Sequence, residues 1–254
     1  MFFIEVVYWQ DLTSTGESFQ LSGNTSSILA AKSKQKKTMA SFKIILGSSS
    51  ASRKKILSEM GYQFTVMGAD IDEKLIRKEK AEDLVMALAE AKADAIIAKL
   101  KENGFEEGNS EPTLLITADQ VVLHGGEIRE KPRDADEARQ FIKGYSKGHA
   151  STVGSVMVTN LKTGVRKGDW EKAEIYFHEI PEEVIDNLIK EGDVLYVAGG
   201  LMVEHPLTSP FVEAMVSSLS LSSFVQTMVG TIDSVMGLPK ALTERLIKEA
   251  IQEQ

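Results

Sequence analysis

The stretch from Phe42 to Leu57, FKIILGSSSASRKKIL, constrains the chain more than any other. Ile44-Ile45-Leu46 is a short apolar run of the kind that forms a buried strand. Gly47 and three serines then interrupt it. Ser50 or Ser52 can cap a helix carrying Ile56, Leu57 and Met60 on one face. A strand, a small-residue loop and a helix start direct free backbone N–H groups and a positive dipole end at one point, which suits an anion. Arg53, Lys54 and Lys55 fall in the first helical turn, where positive charge opposes the dipole. A docked anion is one reason for them; a surface loop followed by solvated cations is the other.

The same alternation continues. Tyr62 to Met67 reads as a strand and Ala69 to Glu73 as an acidic loop. Ala81 to Leu100 has helical spacing of Leu84, Leu88, Ala91, Ala95 and Leu100. Leu114 to Ala118 is a buried strand ending at Asp119, and Gly125-Gly126 marks a hairpin. Asp134 caps a helix to Gly144, with Glu137 three residues on. Val153–Asn160 and Trp170–His178 read as strands, Pro181–Lys190 and Pro239–Ile251 as helices. Strands alternating with helices predict an α/β fold.

The 254 residues are 43% apolar and 26% charged, enough for a packed core. The net charge of −8 argues against a nucleic-acid surface, whose footprint is basic. There is no cysteine, so no disulfide, thiolate metal site or Cys nucleophile. His124, His149, His178 and His205 show no metal-ligand spacing. No apolar run reaches the roughly 18 residues of a membrane span.

Residues 1–38 are rich in Ser, Thr and Gly after an apolar start and read as a disordered extension ahead of a domain over 39–254. They contain no Arg and carry Glu5, Asp11 and Glu17, unlike an organelle transit peptide, so a cytoplasmic protein is expected. SPFVEAMV at 209–216 nearly recurs as SSFVQTMV at 222–229, 13 residues on. This reads as a local insertion near 214–227, with chance similarity the alternative.

Several groups can carry chemistry. Asp70, Asp72 and Glu73 follow a strand and Asp119 ends another; carboxylates at strand ends meet at the rim of an α/β sheet and suit Mg²⁺ or Mn²⁺ on phosphates. A solvated turn also accounts for the acidic triplet. Asp119, directly after a buried strand, needs a partner or an ion. Lys92 either reaches a cleft from the alanine-rich helix or lies on its solvated side. Lys131 before Pro132 is either a held phosphate ligand or a rim lysine. Gly199-Gly200 permit close backbone approach, and Glu204 comes next in a Gly/Pro-bounded loop, which by itself reads as an ordinary turn.

Seven short motifs, in order, resemble the Maf family of nucleoside triphosphate pyrophosphatases: Ser48-Ser49-Ser50-Ala51-Ser52-Arg53, Asp72-Glu73, Lys92-Ala93, Ala118 to Val122, Lys131-Pro132, Ala198 to Glu204 and Val235 to Pro239. The resemblance implies an elongated mixed β-sheet flanked by helices, with a central groove. It implies hydrolysis of a nucleoside triphosphate to the monophosphate and pyrophosphate, with a divalent cation (Mg²⁺ or Mn²⁺) as cofactor. Asp119 matches the general base; Ser48, Ser50, Arg53, Lys92 and Lys131 match the phosphate-binding set; Glu73 and Asp119 match the metal carboxylates. Substrate choice maps to Ser52, Gln120 and Glu204. Gln120 and Glu204 match the 7-methyl-GTP-type members, and Ser52 matches neither known pattern. A 7-methyl-GTP-like substrate is therefore expected, with a dTTP/UTP-type enzyme or a non-turning-over regulatory protein as alternatives. The partners expected are the nucleotide, no nucleic acid and no membrane, with a homodimer left open. An insertion just upstream of Gly237-Leu238-Pro239 is expected to threaten the base pocket.

Overall fold

Long strands with apolar side chains on both faces have to be covered on both sides, and that requirement organises this molecule. The computed structural model describes residues 41–252 except 107, 109, 110, 222, 223 and 230. The extension expected over 1–38 lies outside the described residues.

One eight-stranded sheet forms the centre. Its strands are β1 (Lys43–Gly47), β2 (Thr65–Val66), β3 (Thr113–His124), β4 (Glu127–Arg129), β5 (His149–Asn160), β6 (Arg166–Phe177), β7 (Val212–Leu221) and β8 (Phe224–Val229). The order is β2-β1-β3-β5-β6-β7-β8, with β4 also paired to β3. β1 runs parallel to β2 and β3; every other pairing is antiparallel. The helices are α1 (Ala51–Glu59), α2 (Ala81–Glu102), α3 (Ala135–Tyr145), α4 (Glu182–Glu191), α5 (Ile232–Val235) and α6 (Lys240–Gln252). The expected mixed sheet with flanking helices is what forms.

Side-chain alternation along β3 and β5 divides the core. Leu114, Ile116, Ala118, Val156 and Val158 pack with α1 and α6 on one face. Further along that face, Val122, Ala150, Ala173 and Ile175 pack with α3 and α4. The opposite face places Leu115, Met157, Val121 and Val153 against α2. Local signals agree with these elements. The Ser50 hydroxyl accepts from Arg53 N at 3.4 Å and caps α1. Asp134 accepts from Glu137 N at 2.8 Å, and the Glu137 carboxylate reaches back to Arg133 N. Gly192, at φ +87°, closes α4 in the left-handed conformation.

Two sequence expectations change. The strand read over Tyr62–Met67 shrinks to Thr65–Val66, an exposed edge pair. The strand expected to end at Asp119 continues to His124, because Asp119 pairs with Ser155 and the ladder to β5 runs on through Leu123. What ends near Asp119 is the neighbour on the other side. β1 stops at the Gly47–Thr117 rung and β4 begins at Arg129–Val122, so residues 118–121 have no strand partner on that flank. Alternation sends Asp119 and Gln120 to opposite faces of this gap, which is the groove. The stretch read as an insertion lies in two paired strands: β7 extends the sheet from β6, and β8 folds back on β7 with Val216 opposite Val229.

Candidate active site

The gap beside β3 gathers charge from four elements. Lys92 projects from α2, Asp119 from β3, Arg53 from the first turn of α1, and Glu73 opens a short 3-10 turn, Glu73–Leu75. Apolar neighbours on α2 hold the Lys92 stem: Leu88, Ala89, Ala93 and Ile96 are buried around it. The Lys92 ammonium donates to Asp119 Oδ1 and lies 2.8 Å from Glu73 Oε1. The acidic triplet thereby separates into three roles. Asp70 pairs with Lys99 at 2.9 Å, Asp72 caps the 3-10 turn through Lys74 N, and Glu73 alone enters the site.

Arg53 is turned back from the helix axis. Its Nε donates to Gly237 O at 2.9 Å, and its Nη1 donates to Ala118 O at 2.8 Å and Ser48 Oγ at 3.4 Å. Ala118 is one of the residues lacking a strand partner on the β1 flank, and the guanidinium supplies its carbonyl with a donor. Ser48 is buried and its hydroxyl also accepts from Ser50 N. Ser48, Ser50, Arg53, Lys92, Asp119 and Glu73 are therefore one neighbourhood. Lys131 is exposed, yet close enough that its charge lowers the Glu73 pKa.

The two carboxylates on Lys92 titrate in opposite directions. Burial raises Asp119 above its ordinary value, against the pull of Lys92 and Arg53. Burial also pushes Glu73 upward, but the Lys92 hydrogen bond and charge, with Lys131 and Arg53 behind them, more than reverse it and leave Glu73 low. Burial lowers Arg53, with Asp119 and Glu73 opposing. The two carboxylates that share Lys92 are thus driven in opposite directions, Asp119 up and Glu73 down.

The three positions that the family resemblance ties to base choice are more scattered. Gln120 lies on the other face, donating from Nε2 to Val235 O at 2.6 Å. Ser52 is half-buried in the first turn of α1. Glu204 is exposed in a turn and has no hydrogen bond or ion pair among the described residues. The glycine turn before it does approach the site: Gly199 N donates to Glu130 O at 2.8 Å, next to Lys131, and Gly199 is left-handed at φ +62°. A Cβ there would stand 2.7 Å from Tyr145 Oη and Val122 Cβ, so this position requires glycine.

Sequence reasoning placed the Val235 to Pro239 segment beside the base pocket but did not identify the Val235 and Gly237 carbonyls as the groups that meet Gln120 and Arg53. It also missed Glu171, a buried carboxylate on β6. Glu171 shares the inward parity of Ala173, Ile175 and Phe177, which is the signal that would have found it.

The hairpin of β7 and β8 does not dislodge this wall. Arg53 still meets Gly237, and Gln120 still meets Val235. Among the described residues no set of three or more His, Asp or Glu gathers as a metal cage, and no helix is long and apolar enough to cross a membrane. Two carboxylates converging on one cation do match the donor set of Mg²⁺, which is held by one or two carboxylates with substrate phosphates and water completing the shell.

The chain is also similar to known proteins along most of its length. The family model described as "Maf-like protein" matches residues 43–221. A "7-methyl-GTP pyrophosphatase" of Dictyostelium discoideum is 38% identical over 84% of this chain and 100% of its own length. A "dTTP/UTP pyrophosphatase" of Anaeromyxobacter dehalogenans is 27% identical over 82% of this chain and 94% of its own. One of that name from Bacillus cereus is 30% identical over 83% and 95%. With the motifs in order, the gap in the sheet and a match spanning most of the domain, the chain belongs to the family of Maf-like proteins.

Proposed function

We propose that this protein hydrolyses a nucleoside triphosphate to the monophosphate and pyrophosphate, and that a 7-methylguanine nucleotide is its lead substrate. The observation that carries the reading is the Glu73–Lys92–Asp119 cluster beside Arg53 in the sheet gap. The relatives' names and the family support the reaction class.

In this reading the triphosphate lies along the Ser48–Arg53 loop, with Arg53, Lys92 and Lys131 offsetting its charge. Among the described residues the Ala51 and Ser52 amides at the α1 start have no acceptor and face the same loop. Asp119, raised by burial, takes a proton from the water whose oxygen bonds to the α-phosphorus. The bond from that phosphorus to the α–β bridging oxygen breaks, and pyrophosphate leaves. Positioning and charge neutralisation lower most of the barrier in such transfers. Glu73 and Asp119 would hold a divalent cation, which supplies further neutralisation of the phosphate oxygens when bound. With that charge in place, Lys92 would be available to pair with the phosphates.

Base choice rests on Gln120 and Glu204. A carboxylate can accept from guanine N1–H and the exocyclic amine, a donor pair thymine lacks. Ser52 offers no aromatic face for a cationic methylated ring. A dTTP/UTP preference is the second reading, favoured by the names of several relatives at 27–30% identity.

The deciding experiment is pyrophosphate release from a nucleotide panel with Mg²⁺ or Mn²⁺. Turnover of 7-methyl-GTP above dTTP and UTP is the expected result. No release from any nucleotide overturns the function, and a pyrimidine preference overturns the substrate.

A further inference from the structure

Residues 231–238 form a strap over the sheet and contribute two main-chain carbonyls to the site. Val235 O accepts from Gln120 Nε2 at 2.6 Å, and Gly237 O accepts from Arg53 Nε at 2.9 Å. The strap thus orients one residue matched to base choice and one matched to phosphate binding. Its regular structure is only α5, Ile232–Val235, a single turn. A helix that short has almost no stability of its own, so its position has to come from ties to the rest of the fold.

One tie is a buried side-chain pair. Ser234 and Glu171 are each 5% exposed. Ser234 Oγ donates to Glu171 Oε1 at 2.6 Å and shares a hydrogen bond with Thr231 Oγ1 at 3.0 Å. Glu171 is rooted in β6, on the same rung and face as Gln120. The rung runs Gln120, Gly154, Glu171 across β3, β5 and β6. A Cβ on Gly154 would have only Asp119 O at 3.7 Å and Gln120 Cγ at 3.9 Å within reach, both from β3.

We propose that Glu171 and Ser234 are positioning residues for the hydrolysis. Their hydrogen bond pins the strap to β6, and the pinned strap sets Gln120 through Val235 O and Arg53 through Gly237 O. The inference rests on the reading of the site as a nucleoside triphosphate site. It assigns neither residue a contact with substrate.

The test uses the full chain with Ser234→Ala, Glu171→Leu, Glu171→Gln and the Ser234→Ala/Glu171→Leu double variant. Thermal melting, kcat and KM are measured for 7-methyl-GTP, GTP and dTTP. Affinity for a non-hydrolysable α,β-methylene GTP is measured in parallel. Losing a buried hydrogen-bond partner corresponds to about a tenfold effect, so Ser234→Ala and Glu171→Leu each raise KM and weaken analogue binding about tenfold. They also narrow the ratio between purine and pyrimidine substrates. Glu171→Gln keeps an acceptor for the hydroxyl and restores both the affinity and the ratio. The double variant is no worse than the more damaging single one, because both remove the same bond.

Unchanged affinity and ratio in folded Ser234→Ala protein overturn the proposal. So does a lowered melting point with the ratio intact, which describes a structural brace. Wild-type protein that binds the analogue but releases no pyrophosphate from any nucleotide defeats the hydrolysis reading alone. The analogue affinities then still decide the pin. Failure to bind any nucleotide overturns both.

Discussion

The Lys92 ammonium lies 2.8 Å from a carboxylate oxygen of Glu73 while also donating to Asp119, so one cation serves two acids. Lys92→Met removes the charge and keeps most of the stem. The two carboxylates are then left without their shared counter-ion. Breaking a buried pair costs about 3–5 kcal/mol; the 43% exposure of the Glu73 side chain places the loss at the lower end of that range. The same change clears the point where the acids converge. Mn²⁺ binding without nucleotide is expected to strengthen, read by electron paramagnetic resonance, while denaturant titration shows the lost stability.

Asp119→Asn removes the proton acceptor and leaves the shape. Turnover is expected to fall about 10²–10⁴-fold, the span of general base catalysis. Binding of a non-hydrolysable nucleotide persists. Calorimetry alongside a pyrophosphate assay separates the two, and equal loss of both would remove Asp119 from the chemical step.

The pH profile carries the same signature. Burial raises Asp119, so the acid limb of kcat/KM lies above the ordinary carboxylate value. Activity is present above the raised pKa and is lost as pH falls through it, because the base has to be unprotonated. Glu73, held low, stays ionised across that window. In Lys92→Met the limb moves further up, since a cation that opposes protonation of Asp119 has gone. A limb at or below the usual carboxylate range would contradict the assignment.

Base choice offers a gain as well as a loss. Glu204→Gln exchanges an all-acceptor group for one that also donates. It is expected to reduce preference for 7-methyl-GTP over dTTP by about tenfold or more, since mismatched donors and acceptors discriminate strongly. Ser52→Trp supplies a ring face, and a cation–π contact of about 0.5–2 kcal/mol lowers KM for the methylated base relative to GTP. Competition between the two nucleotides reads both effects.

Gly237 is left-handed at φ +87°, and a Cβ there would stand 2.6 Å from Gln120 Oε1 and 3.4 Å from Arg53 Nε. Gly237→Ala therefore strains the backbone and pushes on both site residues. It is expected to cost about 1–2 kcal/mol in stability, read by thermal melting, and to raise KM for every nucleotide in the panel.

Much of this was legible in the residues. The Ser48–Arg53 loop, the Ser50 and Asp134 caps and the helix holding Lys92 depend on near neighbours in sequence, which a local pattern records. Asp119 was misplaced as a strand end because the polar pair Asp119-Gln120 interrupts an apolar run. In three dimensions the run continues, and the interruption marks where β1 gives way to β4, a relation between distant segments that periodicity does not report. The pairing of β7 with β6 was hidden for the same reason. Glu171 carried a readable sign, an acid at an inward position of an alternating strand. Its partner Ser234 lies in a turn too short to announce itself.

The rung that joins Val216 to Val229 has a consequence for chain length. The ribbon leaves the sheet margin and comes home to within one strand spacing, about 4.8 Å, of its departure point. Opposed couples can be added past Leu219, the last β7 residue paired with β6, without removing a rung between those two strands. Downstream of the ribbon, Gly237 O still meets Arg53 and Val235 O still meets Gln120, so hairpin length and site geometry are set by separate contacts.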